Sequence, residues 1–171
     1  MGNNWKITDT LTKVFAEEAP DGQGSIRLST LHRETVSCVI AYFGAADWGR
    51  YWKVSVKAPE KIETRLRRVE LVPSAYPCHK EQDDNYLRIV PGMYPDLLRD
   101  LDTEDDGADK KYLTKEVPGQ WRSLWLDVTV DAELAGGDYA IVIEAETEDG
   151  EKETLKADLH VVDASLPPQK L

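Results

Sequence analysis

Apolar and polar residues alternate with a period of two along much of this chain, the spacing that sends successive side chains to opposite faces of a sheet. From Tyr51 to Ala58, Trp52, Val54, Val56 and Ala58 share one face, and Lys53, Ser55 and Lys57 the other. From Ser123 to Val130, Leu124, Leu126, Val128 and Val130 fall inward, with Trp125, Asp127 and Thr129 outward. Leu155, Ala157, Leu159 and Val161 alternate with Lys156, Asp158, His160 and Val162. Each pattern predicts a half-buried antiparallel strand. Two runs are richer in apolar residues, Thr35–Phe43 and Asp138–Ala145, as expected of strands covered on both faces at a sheet centre. Arg65–Val72 is charged on one face and ends at Pro73, which suits a strand near an edge, and Ser25–Ser29 is a further short strand. Trp52, Val54, Val56, Leu124, Leu126, Val128, Ile141 and Ile143 are the expected core.

Turn signals separate these runs at short distances. Glu148-Asp149-Gly150-Glu151 predicts a hairpin turn, because Asp-Gly accepts the positive φ of a tight reversal. Gly136-Gly137-Asp138 opens the preceding strand, and Gly44 to Gly49 closes the Thr35 run. Many short strands at this spacing predict an all-β fold, an antiparallel immunoglobulin-like or jelly-roll-type β-sandwich with one long irregular loop. That loop spans Ser74 to Gly119, with a short strand expected at Tyr86–Val90 and a helical turn at Pro95–Leu101, Asp96 standing near its start. The expected organisation is a sandwich domain over residues 1–163 and a linker over 164–171, whose Pro167 and Pro168 hold the chain extended towards a C-terminal domain.

With 171 residues the chain can bury a core without disulfides or metal. Its 21 basic and 32 acidic side chains leave a formal charge of −11, which argues against nucleic acid and against an anionic membrane surface as partners. No apolar run reaches the roughly 20 residues of a transmembrane helix. Met1 to Lys6 lacks a signal-peptide pattern, which favours a cytoplasmic location. Cys38 lies in an apolar run and reads as a small buried hydrophobe.

Chemistry-bearing motifs are few. His32, His79 and His160 stand on separate elements without ligand spacing, and a zinc site on Cys78 and His79 would still need a distant partner. Asp102 to Gly107 opens like a calcium loop, but its twelfth position is Leu113 where a bidentate Glu is required. There is no nucleophile elbow and no glycine-rich phosphate cradle. The expectation is therefore no catalytic residue, no metal and no cofactor. The aromatic residues are more informative. Trp48 and Tyr51 flank the Gly49-Arg50 turn, Trp125 lies on the polar side of its strand, and Tyr94 stands in the long loop with Tyr76, Tyr86 and Tyr112. Flat rings beside Asp and Arg suit a sugar, and Trp48, Tyr51, Tyr94 and Trp125 are the candidate carbohydrate contacts. The alternative is that these rings pack the loop onto the sandwich or against a neighbouring domain.

The order of the pieces resembles the N-terminal β-sandwich domain of family 123 glycoside hydrolases. The resemblance is carried by Trp5 with Lys13-Val14-Phe15, by the run from Ser25 to Phe43 around Arg33-Glu34-Thr35, and by Tyr94-Pro95-Asp96-Leu97-Leu98. Its strongest piece is Gly119-Gln120-Trp121 and Leu124-Trp125-Leu126-Asp127-Val128, followed by Ala135-Gly136-Gly137-Asp138-Tyr139. Leu166 to Leu171 looks like the junction into a catalytic barrel. The resemblance implies a parent enzyme acting on N-acetylgalactosaminides, in which an adjacent Asp-Glu pair of the barrel works with the substrate's own acetamido group. This sequence contains no Asp-Glu dipeptide, so the resemblance implies a non-catalytic accessory domain whose partner is the catalytic domain of the same polypeptide, with carbohydrate as a further partner. An independent carbohydrate-binding module and an adhesion or protein-interaction domain are the alternatives.

Overall fold

The computed structural model describes residues 4–45, 50–76, 86–105 and 110–167. Among these the chain is all-β, with eleven strands: β1 (Trp5–Thr8), β2 (Ser25–His32), β3 (Thr35–Phe43), β4 (Tyr51–Lys57), β5 (Ile62–Ser74), β6 (Gly92–Asp100), β7 (Thr103–Asp105), β8 (Lys110–Lys115), β9 (Trp121–Val130), β10 (Gly137–Thr147) and β11 (Lys152–Ser165). They form two sheets, one in the order β1-β3-β9-β5-β6 and one in the order β2-β11-β10-β4-β8-β7. The expected β-sandwich is the fold observed. All pairings are antiparallel except β2 against β11, which run parallel.

The inner faces follow the period-two pattern. Cys38 of β3, Leu126 of β9 and Leu66 of β5 stand in register across the first sheet, and all three are buried. Facing them, Ile141 pairs with Ala157, Ile143 with Leu155 and with Val56, in the second sheet. Seven of the eight expected core residues are buried, and Val56 is partly buried against the same cluster. At one end the core closes on rings: Trp5 stacks on Tyr42 with centroids 5.0 Å apart, and meets Trp52 edge-on, also at 5.0 Å. Tyr42 and Trp52 find polar partners there, with 2.7 Å between the Tyr42 and Thr114 hydroxyls and 2.7 Å from the Trp52 indole N–H to the Glu116 carboxylate, whereas the buried Trp5 indole N–H has none among the described residues. Cys38 is inert in this setting, because burial, with a smaller effect of the Asp127 charge, pushes its thiol pKa up to about 12.

The hairpin of β10 and β11 turns where the sequence places it, with Gly150 at φ +87 and its N–H donating to the Thr147 carbonyl. β3 is covered on both faces, as its composition predicts. The segment from Asp9 to Pro20 crosses its outer side, where Val14 packs with Val39, Ala41 and Trp121 in a second cluster. β10 differs: it is central in its sheet, yet Ala140 is exposed and Glu144 half-buried on its outer side. No described segment crosses that face, so among the described residues its apolar content serves one layer.

Two local expectations are corrected. Tyr86–Val90 is not a strand, because its backbone joins no ladder. Side chains tether it instead, with Arg88 donating to Glu17 at 2.5 Å and to Glu18 at 2.6 Å. Pro95–Leu101 is not a helical turn but most of β6, which pairs with β5. Pro95 is tolerated because β6 is an edge strand, and the register shifts at this point, leaving Asp96 unpaired between Pro95↔Leu71 and Leu97↔Glu70. The Ser74–Gly119 stretch thus contributes β6, β7 and β8 to the sandwich edges. β11 continues to Ser165, which pairs with His32 of β2.

Candidate functional site

The two outer faces of the sandwich differ in chemistry. On the β10 sheet, paired charges cover the surface: Lys53 with Glu104 at 2.8 Å, Lys57 with Glu144 at 2.7 Å and Lys156 with Asp158 at 2.6 Å. Exposed pairs of this kind contribute little to stability, and the hollows on this face, of about 680 and 490 Å³, are lined largely by such charges. The outer face of the β9 sheet is different. There Val39, Val69 and Trp125 form the floor of a hollow of about 200 Å³, bordered by Thr10, Lys13 and Asp96 of the β6 bulge. A second, more open hollow of about 580 Å³ adjoins it, with Phe15, Tyr94, Pro73, Leu87 and Arg88 in its walls. Lys13, Pro95 and Asp96 border both, so they form the ridge between the two.

Asp127 organises the floor. Its carboxylate accepts from Ser37 of β3 at 2.7 Å, from Arg67 of β5 at 2.5 Å and from the indole N–H of Trp125 at 2.7 Å. Three adjacent strands are tied by one side chain. Trp125 and Asp127 lie two residues apart on one face of β9, so an indole N–H that reaches this carboxylate lays the ring along its strand. Burial opposes ionisation of Asp127, but the bonds from Ser37, Trp125 and Arg67, with the Arg67 charge, outweigh it and hold the carboxyl below its ordinary range.

This has a consequence for acid stability. A folded-state pKa below the unfolded one stabilises the fold above the ordinary carboxylate range, and the stabilisation is lost as pH falls through the folded value. Asp127→Asn is therefore expected to be less stable than wild type near pH 7, with the gap narrowing below about pH 4. Urea unfolding of both proteins across that range measures it. A gap that does not change with pH contradicts the assignment.

The four candidate carbohydrate contacts do not form one platform. Trp48 lies outside the described residues. Tyr51 is half exposed on the other sheet, with the Lys115 ammonium 5.2 Å from its ring centroid. Trp125 and Tyr94 do share a face, one on each side of the Lys13–Asp96 ridge. Tyr94 meets Phe15 edge-on at 5.8 Å, and its hydroxyl donates to the Val90 carbonyl at 2.5 Å. The guanidinium of Arg88 covers the same Phe15 ring at 3.7 Å. Sequence reasoning missed Ser37, Arg67, Lys13 and Asp96, because their meeting depends on strand register and on the bulge. Cys78 and His79 lie outside the described residues, among which no group of three or more potential metal ligands occurs.

No family model matches the sequence, and no curated protein matches it. Solved structures do match the fold. A family 123 glycoside hydrolase from Clostridium perfringens aligns with a TM-score of 0.62 and 10% identity over 95% of this chain, which spans only 28% of that enzyme's chain. The N-terminal domain of PorA aligns over 94% of this chain and 99% of its own, with a TM-score of 0.45 and 8% identity. BcpA, the major pilin subunit of Bacillus cereus, aligns over 93% of this chain and 40% of its own, with a TM-score of 0.43 and 8% identity. At these identities the likeness is one of fold.

Proposed function

We propose that this chain is a non-catalytic β-sandwich domain that accompanies a glycoside hydrolase barrel of the family 123 kind and braces it. The observation that carries this reading is the alignment of nearly the whole chain with about a quarter of a larger hydrolase, 28% of its length. The order of pieces from Trp5 to Tyr139 that resembles the N-terminal domain of that family points the same way. The surface supplies a place for a neighbour. Tyr76, Leu87, Ile89, Val90, Met93 and Leu97, along the end of β5, the tethered segment and β6, are all at least 43% exposed, more apolar surface than water favours in one region. A barrel docked there would cover it. Asp127 is poorly suited to acid catalysis, since a carboxylate kept ionised by three donors does not release protons near neutrality.

Two measurements test this. The purified chain is expected to show no turnover of aryl N-acetylgalactosaminides; turnover that survives repurification and is lost on replacing one of its carboxylates would overturn the non-catalytic assignment. In the source gene, the reading frame after the Leu171 codon is expected to encode a barrel with an adjacent Asp-Glu pair. A stop codon directly after Leu171 would overturn the accessory role within one polypeptide.

A further inference from the structure

We propose that the hollow above Trp125 is a binding site for one uncharged pyranose ring, so that this domain holds sugar by itself. The hollow fits such a ring in shape and in chemistry. At about 200 Å³ it is smaller than the roughly 300–1,000 Å³ sites that take drug-sized ligands, and suits one six-membered ring. The floor is flat and apolar where Trp125, Val39 and Val69 meet, which matches the C–H face of a sugar. The rim is polar. Thr10 brings a hydroxyl that can both donate and accept, as sugar hydroxyls require, while the Thr12 hydroxyl already donates to Asp9 and accepts from Thr8, and Ser123 lies buried beneath.

Lys13 and Asp96 complete the rim. Both are exposed, and neither makes a hydrogen bond or an ion pair with another described residue. One offers only donors and the other only acceptors, and their charges cancel. That balance favours a neutral polyol over a phosphate, which would meet Asp96, and over a cation, which would meet Lys13. The floor is also prepared in advance. Ser37 and Arg67 hold Asp127, and Asp127 holds the Trp125 indole N–H, so little ring freedom is lost on binding. A protein side chain could enter the same hollow, but it would not use the Thr10 hydroxyl and two opposed charges together.

The experiment is a titration of the whole chain with methyl β-glucopyranoside, methyl β-galactopyranoside and methyl α-mannopyranoside into the millimolar range, followed by amide and indole N–H resonances. At least one pyranoside is expected to give saturable shifts at Val39, Val69, Ser123 and the Trp125 indole. Trp125→Ala and Asp96→Ala are each expected to weaken that response at least about tenfold, the loss of one good contact. Asp96 is exposed at a bulge of an edge strand, so its variant keeps the fold even if Trp125→Ala does not. Absence of any saturable shift, shifts centred on Tyr51 instead, or shifts unaltered in Asp96→Ala would each overturn the proposal. The titration needs no barrel, so a stop codon after Leu171 would defeat the accessory reading and leave this site standing.

Discussion

Leu126→Ala is expected to destabilise the protein by about 2–5 kcal/mol and to lower its melting temperature by on the order of 10 °C. Leu126 is fully buried, with Cys38 and Leu66 beside it in register, and it faces the β10–β11 layer across the core. Removing its branched end takes apolar atoms out of contact on several sides at once. Neighbours held by two ladders close the gap poorly, which is why the expected loss exceeds simple transfer. Thermal unfolding followed by circular dichroism measures it. Unchanged melting in both Leu126→Ala and Val128→Ala would mean that the even-numbered face of β9 does not face the core.

Gly44→Ala is expected to have the next largest effect, at least about 1–3 kcal/mol, the range of forced overpacking. Gly44 has no positive φ to maintain; it is needed for space. Its N–H donates to the Gln120 carbonyl at 3.0 Å and its own carbonyl accepts from Gly119 at 2.9 Å, which brings the chain after β3 against the chain before β9. A Cβ on Gly44 would collide with the Val117 carbonyl, which is backbone and cannot swing aside. Gly24→Ala is the control, since a Cβ there meets nothing within 4 Å and its φ is not positive. Denaturant midpoints of the two variants should separate clearly. If they coincide, the close approach at Gly44 does not hold.

Local pattern was a sound guide where one layer decides burial. The alternation of Leu124, Leu126 and Val128 needs only a sheet with a wet side, and so does the alternation from Leu155 to Val161. The pattern was a poor guide where a second contribution comes from afar. Pro95 and Asp96 carry the local signature of a helix start, yet β5 supplies a ladder that turns the segment into an edge strand, and tertiary pairing outweighs a cap. The parallel pairing of β2 with β11 joins segments more than 120 residues apart, and no turn between them could announce it.

The same division holds for the candidate site. Trp125 stood out in the sequence because an aromatic residue on the polar side of a strand is unusual. Asp127 two residues on could be placed on the same face from alternation alone. Their partners could not: Ser37 and Arg67 reach Asp127 only through the registers of β3 and β5 against β9. Lys13 and Asp96 border one hollow only because one loop crosses the sheet and one edge strand bulges. The sequence by itself determined the strand class, the buried faces and the hairpin at Gly150, since each depends on residues a few positions apart. The tertiary structure decided which strands are neighbours, which face is covered twice and where a hollow remains, because those depend on contacts between segments that the linear pattern does not order.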